Sequence, residues 1–283
     1  MSRRSLFGAA ALAGTGAALG LGAASGGALA QPTGAPNRVP GIQLYTLRGS
    51  MAEDAIATLT AVAAMGYGAV EFAGLHGHSA AALREHLDDL GIDAPAGHVN
   101  PHDLKADPGP LIEEAVTLGH RYLVVAWLDE EFRQTADDYR QWADVLNRAG
   151  EAARAAGVRM AYHNHEFEFE ALDGEIPQRI LLAETDPDLV DFELDFYWVR
   201  RAGLNIEDVL AWAPERFRLA HIKDMDENGE ITDVGTGTID FATLLNSDHG
   251  RNIKHPFVEH DHAPDAFRTA AVGRWNLSRA LAG

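Results

Sequence analysis

RYLVVAWLDEEFRQTADDYRQWADVLNRAGEAARAAGVRMAYHNH, residues 121–165, holds one complete turn of a repeating architecture. It opens on the apolar run RYLVVAW (121–127), too short for a core helix but the right length for a buried strand. An amphipathic pattern follows from about Ala136 to Ala156 and stops at Gly157, a residue suited to closing a helix. A second apolar run, VRMAYHNH (158–165), comes next. Strand, helix and strand in that order imply two parallel strands joined by a crossover helix.

The same alternation extends in both directions. Further strand candidates are VPGIQLY (39–45), GAVEFAG (68–74), IDAPAGHV (92–99), LVDFELDF (189–196), FRLAHIKD (217–224) and HPFVEHD (255–261). Helical patterns lie between them. Ser50 to Glu53 reads as a capping box before a helix ending at Gly66; Ser79 opens a helix closed by Gly91; PGPLIEEAVTLG closes at Gly119. Shorter helices are expected near 177–184, 206–213 and 239–246, and a last one over 264–281. Eight such units at a spacing of roughly 30 residues predict an α/β fold, a single (β/α)8 TIM barrel. An open doubly wound sheet is the competitor, but IQLYTLRGS lacks the Gly-rich phosphate turn expected after its first strand.

The domain plan is a signal over 1–30, a lead-in over 31–38 and a barrel over 39–283. Residues 1–30 have a basic start, an Ala/Gly/Leu middle and the small-residue pattern Ala28-Leu29-Ala30. Ser2-Arg3-Arg4-Ser5-Leu6-Phe7 is similar to a twin-arginine export signal, which predicts a periplasmic or extracellular protein without stable membrane insertion. There is no cysteine, so neither a disulfide nor a thiolate nucleophile is available. The net charge is −19; loss of Arg3 and Arg4 with the signal takes it two further, to −21. Such a surface repels phosphate backbones, so a nucleic-acid partner is not expected. Oligomeric state is left open, a homo-oligomer included.

In a barrel of this kind chemistry collects at the C-terminal ends of the strands. Those ends carry Gln43 and Tyr45, Glu71, His98, Trp127, His163 with His165, Asp195, His221 with Lys223, and Glu259 with His260 and Asp261. Carboxylates and imidazoles gathered at one rim repel and pay for desolvation unless a cation joins them. Mixed oxygen and nitrogen donors suit one divalent ion such as Mn²⁺, Co²⁺, Zn²⁺ or Fe²⁺.

Six segments together resemble the sugar phosphate isomerase/epimerase family of xylose isomerase-like barrels. They are GIQLYTLR (41–48), AVEFAGLHGHSAAALREHLDDLGI (69–92), AYHNHEFEFE (161–170), FELDFYWVRRAG (192–203), HIKDMDENGEITDVGTGTIDF (221–241) and FVEHD (257–261). The resemblance implies one metal at the barrel mouth with ligands from strands five to eight. It assigns Asp195, His221 and Glu259, and at the strand-five position, where many relatives carry Glu, it meets His163. Glu166 is the alternative there. Glu259, His165 and Lys223 are then the candidate catalytic groups, His165 by virtue of an imidazole suited to proton exchange near neutral pH. Tyr45, Glu71, His98, Trp127 and Trp198 are the candidate substrate contacts. Asp195 is also placed to cap a helix or pair with Arg200 or Arg201, and Glu166, Glu168 and Glu170 are expected in a solvated loop. DVGTGTID (233–240) reads either as a backbone cradle for an anion or as a turn.

The implied reaction is proton abstraction next to the carbonyl of a sugar or cyclitol, through an enediolate. Isomerisation or epimerisation is the first expectation. A lyase or dehydratase acting by β-elimination on a keto-sugar, keto-glycoside or cyclitol is the alternative, since His163 removes one of two expected glutamates and a His-rich strand five is similar to that of inosose dehydratases. A non-catalytic exported sugar-binding protein is the third reading.

Overall fold

The computed structural model describes residues 38–283, so the expected export signal, and the expected lead-in up to residue 37, lie outside the described residues. Eight parallel strands close on themselves in the ring order one, eight, seven, six, five, four, three, two. They are Gly41–Gln43, Ala69–Phe72, Asp93–Val99, Tyr122–Val125, Arg159–His163, Val190–Asp195, Phe217–Ile222 and His255–Val258. All eight expected strands are present. Most stop two or three residues short of the apolar runs, because the chain leaves the ladder at the rim and turns into a loop. Candidate site residues read as strand ends, such as His165 and Glu259, therefore sit just past the last ladder pair.

The opening βαβ unit forms as its sequence suggests. Thr135 and Asp138 make a reciprocal capping box for the helix Ala136–Arg154, and Gly157 turns the chain at φ 73°. The Ser50–Glu53 capping box does not form. Those residues lie inside a short helix, Arg48–Glu53, and Asp54 breaks it to cap Ala55–Ala64 by accepting from the Ala57 amide. Two unexpected helices, Pro101–Ala106 and Phe196–Arg201, follow strands three and six at the rim.

The barrel interior is filled in layers, as the two-residue period of each strand requires. Ala69, Ala96, Val124, Ala161, Leu219 and Phe257 form a buried apolar cluster. The next inward positions toward the C-terminal end are Glu71, His98, His163, His221 and Glu259. A closed apolar floor thus carries an ionisable layer above it. The larger core lies between the strands and the surrounding helices. Among the described residues no helix is long and apolar enough to cross a membrane.

After strand seven a two-stranded antiparallel hairpin, Asp224–Met225 with Ile231–Thr232, rises beside the mouth. Its return loop is DVGTGTID. Backbone amides of Gly235, Gly237 and Ile239 do converge on an anion, but that anion is the Asp224 carboxylate at 2.8, 2.9 and 3.2 Å. The cradle is filled from within the chain.

Candidate active site

Strands five to eight each deliver one donor residue to a single point. One ligand atom from each of His163, Asp195, His221 and Glu259 lies within 4.8 Å of the other three, and all four residues are buried. His163 Nδ1, Asp195 Oδ2, His221 Nδ1 and Glu259 Oε2 make no oriented hydrogen bond. Around Asp195, His221 and Glu259, charged groups stand at ion-pair distance. Lys223 Nζ lies 3.0 Å from Asp195 Oδ2 and 2.9 Å from Glu259 Oε2, and His221 Nδ1 lies 2.8 Å from Glu259 Oε2. Four buried donor atoms that converge without hydrogen-bond partners are costly unless a further group completes them. Two carboxylates and two imidazoles are a donor set that fits a divalent cation.

Asp195 uses its two oxygens differently, and one of them makes the expected helix cap. Oδ1 accepts from the Trp198 amide and caps the Phe196–Arg201 helix at 3.0 Å, while Oδ2 faces the cluster. His163 is neutral, its pKa pushed well down by burial and by His221 and His165; a neutral imidazole is the form that ligates. Burial disfavours charge on His221, but Glu193 and Glu259 outweigh it and hold its pKa well above the ordinary range. Burial likewise opposes charge on Lys223, and Asp195, Glu259 and Asp261 keep it protonated.

Beneath this lies a second polar layer. His221 Nε2 is 2.8 Å from Glu71 Oε2 and 3.2 Å from Glu193 Oε2. Gln43 donates its amide N–H to Glu71 at 2.8 Å, its own oxygen being held by the Tyr45 amide. Burial alone would raise the Glu71 pKa; His98 and His221 bring it down to about 2. Glu71 therefore does not line the cavity as a substrate contact. It is fully buried and anchors the far nitrogen of His221, which leaves Nδ1 aimed at the donor cluster. Glu193 went unassigned in the sequence, although its spacing of two from Asp195 puts both on one face of strand six.

Above the cluster opens a cavity of about 460 Å³. Tyr45, His98, Trp127, Trp198, Lys223 and Glu259 line it, as do His163 and His165, and Glu166, Phe167 and Asp261 complete its wall. His165 lies parallel to Phe167 and edge-on to Trp127. Burial first, then the Lys223 ammonium, pushes the His165 pKa down to about 3. The expected proton exchange near neutral pH is not met; His165 is a neutral hydrogen-bonding group. The loop beyond it is not uniformly solvated either. Glu168 is completely buried, accepting from the Tyr162 hydroxyl at 2.6 Å and the His165 amide at 2.7 Å.

Residues 59–265 match the family model described as xylose isomerase-like TIM barrel. An inosose dehydratase of Lacticaseibacillus casei is 28% identical over 134 residues, 41% of this chain and 44% of that protein, so the chain matches less than half the length of this curated relative. A solved sugar phosphate isomerase/epimerase from Parabacteroides distasonis superposes with a TM-score of 0.73 at 24% identity, covering 88% of this chain and 96% of that one. A structure of IolI protein with a bound zinc atom superposes at 0.67 and 18% identity, covering 86% and 98%. At these identities the solved structures share the fold. The chain belongs to the xylose isomerase-like TIM barrel family.

Proposed function

We propose that the protein is a metal-dependent enzyme that removes a proton next to the carbonyl of a sugar or cyclitol, with isomerisation or epimerisation as the outcome. The observation that carries this reading is the convergence of four buried donor atoms, none in an oriented hydrogen bond, below a cavity walled by a carboxylate, an ammonium and aromatic rings. A divalent cation held by His163, Asp195, His221 and Glu259 would supply electrophilic pull on the carbonyl and neighbouring hydroxyl oxygens. Glu259 stands in the cavity wall as an ionised carboxylate: burial opposes its charge, and His221 and Lys223 hold its pKa well below the usual range. It is the base placed to accept the carbon-bound proton. Lys223 offsets the negative charge that develops. His98, His165 and Tyr45 hydrogen-bond hydroxyls, and Trp127 and Trp198 cover the apolar face of a ring.

One observation favours β-elimination, the work of a lyase or dehydratase, as the outcome. Strand five presents His163 and His165 where a second carboxylate would face Glu259, and His165 is held neutral. Exchange of a proton between two opposed carboxylates is thereby lost, whereas elimination asks for one base, which can pass the proton it takes to the departing oxygen so that water or an alcohol leaves. The similarity to an inosose dehydratase points the same way.

The test is incubation of the cation-loaded protein in D₂O with ketoses, inososes and keto-glycosides. Deuterium should appear at the carbon next to the carbonyl, and Glu259→Gln should slow it by about 10²–10⁴-fold. Absence of exchange and of product across the panel would refute the proposal. An epimer or isomer among the products supports the first outcome, an unsaturated product the second.

A further inference from the structure

Next to the cavity over the donor cluster lies another of about 470 Å³. Trp198, Asp261 and His262 line both, so the two are halves of one cleft. Each half alone falls within the roughly 300–1,000 Å³ of a small-molecule site. A single ring bound over Glu259 leaves the neighbouring half empty.

The second half has the chemistry of a polyol site and none of the reactive cluster. Tyr197 and Trp198, packed edge to face at 4.7 Å, form its aromatic side. Glu230, Thr232 and Arg268 supply hydrogen-bonding groups on the other sides. Its walls are braced. Asp233 receives Arg268 and the Thr269 hydroxyl at 2.6 Å each, tying the return loop of the hairpin to the last helix. Tyr197 donates its hydroxyl to Gly229 at the hairpin tip at 3.1 Å. Asp224, already described, holds the same loop through backbone amides. A cavity so supported is formed before ligand arrives, and binding there does not first have to order a loop.

We infer that the substrate is a glycoside of two polyhydroxylated units, the keto unit lying over Glu259 and the second unit in the half-cleft between the hairpin and Arg268. The oxygen linking them crosses at Trp198, Asp261 and His262, where the halves meet. This rests on the proposed function for the identity of the first unit, but its binding consequence is separate.

Calorimetric titration of the native protein with glucose and with trehalose, maltose, cellobiose and gentiobiose tests it without requiring turnover. At least one disaccharide should bind tenfold or more tighter than glucose, and Thr232→Trp, which fills the second half, should erase the difference. Glu230→Ala serves the same purpose if the Trp variant does not fold. Equal affinity for glucose and every disaccharide overturns the inference, as does a preference that both variants leave intact. Kinetics add a second arm: the ratio of kcat/KM for a keto-disaccharide to that for the keto-monosaccharide should fall at least tenfold in Thr232→Trp. A disaccharide preference without proton exchange on any keto-sugar would refute the proposed function and leave the two-unit cleft standing.

Discussion

Glu168 sits five residues beyond His163, the last ladder position on strand five, and has no solvent contact. Its two oxygens hold the Tyr162 hydroxyl and the His165 amide, so it shapes the segment from which His163 and His165 are presented. Burial raises its pKa from 4.5 to about 8, more than its hydrogen bonds lower it. The folded state therefore binds this proton more tightly than the unfolded state. The associated stability is complete below pH 4.5 and is lost as pH rises to about 8. Glu168→Gln keeps the shape and removes the titration. Denaturant unfolding of the two proteins at pH values spanning that window should show the wild type losing stability relative to the Gln variant, by a few kcal/mol at most. Parallel pH profiles would mean that Glu168 is ionised in the folded protein.

At the scale of elements, the strand ends were legible because a two-residue period is rigid inside a ladder. It put Asp195, His221 and Glu259 among the candidate strand ends, and the family resemblance then singled them out and met His163 beside them. Past the ladder that period no longer holds, and the solvated loop expected for Glu166, Glu168 and Glu170 forms only in part. Phe167–Phe169 is a turn of 3₁₀ helix, which advances about a third of a turn per residue. Glu166, Glu168 and Glu170 consequently have three fates: cavity wall, buried brace and solvent. Glu71 was visible as a rim residue, but its depth beneath His221 depends on the stagger of neighbouring strands, which no local pattern encodes. The anion cradle was likewise legible, its occupant not, because Asp224 lies eleven residues before Gly235. That occupant makes the hairpin a rigid wall. Asp224→Ala would leave the Gly235, Gly237 and Ile239 amides without their partner, at a cost of at least about 3 kcal/mol. Thermal or denaturant melting reads this directly, and a change below about 1 kcal/mol would show that the loop is held by other contacts.

Over the whole barrel, the donor cluster joins four strands that are far apart in sequence, and its state bears on global stability. Without a cation, two carboxylates, an imidazolium and an ammonium share a space closed below by the apolar floor. A bound divalent ion ties strands five, six, seven and eight together and binds the folded chain alone, since the four ligands are scattered in the unfolded one. At a free ion concentration a hundred times Kd the gain is about 2.7 kcal/mol. For a domain of this size that is a rise in Tm of about 5–10 °C over chelator-treated protein. The measurement also decides the strand-five ligand. His163→Ala and His221→Ala should each abolish the rise and lose the ion in elemental analysis, whereas Glu166→Ala, altered only in the cavity wall, should keep both. The reverse pattern at positions 163 and 166 would move the ligand to Glu166, and no rise with Zn²⁺, Mn²⁺, Co²⁺ or Fe²⁺ would exclude a cation from the cluster. A sugar-binding protein without catalysis would keep its sugar affinity in His221→Ala and Glu259→Ala, so titrating both variants with sugar alongside the melts separates an enzyme from a carrier on the same fold.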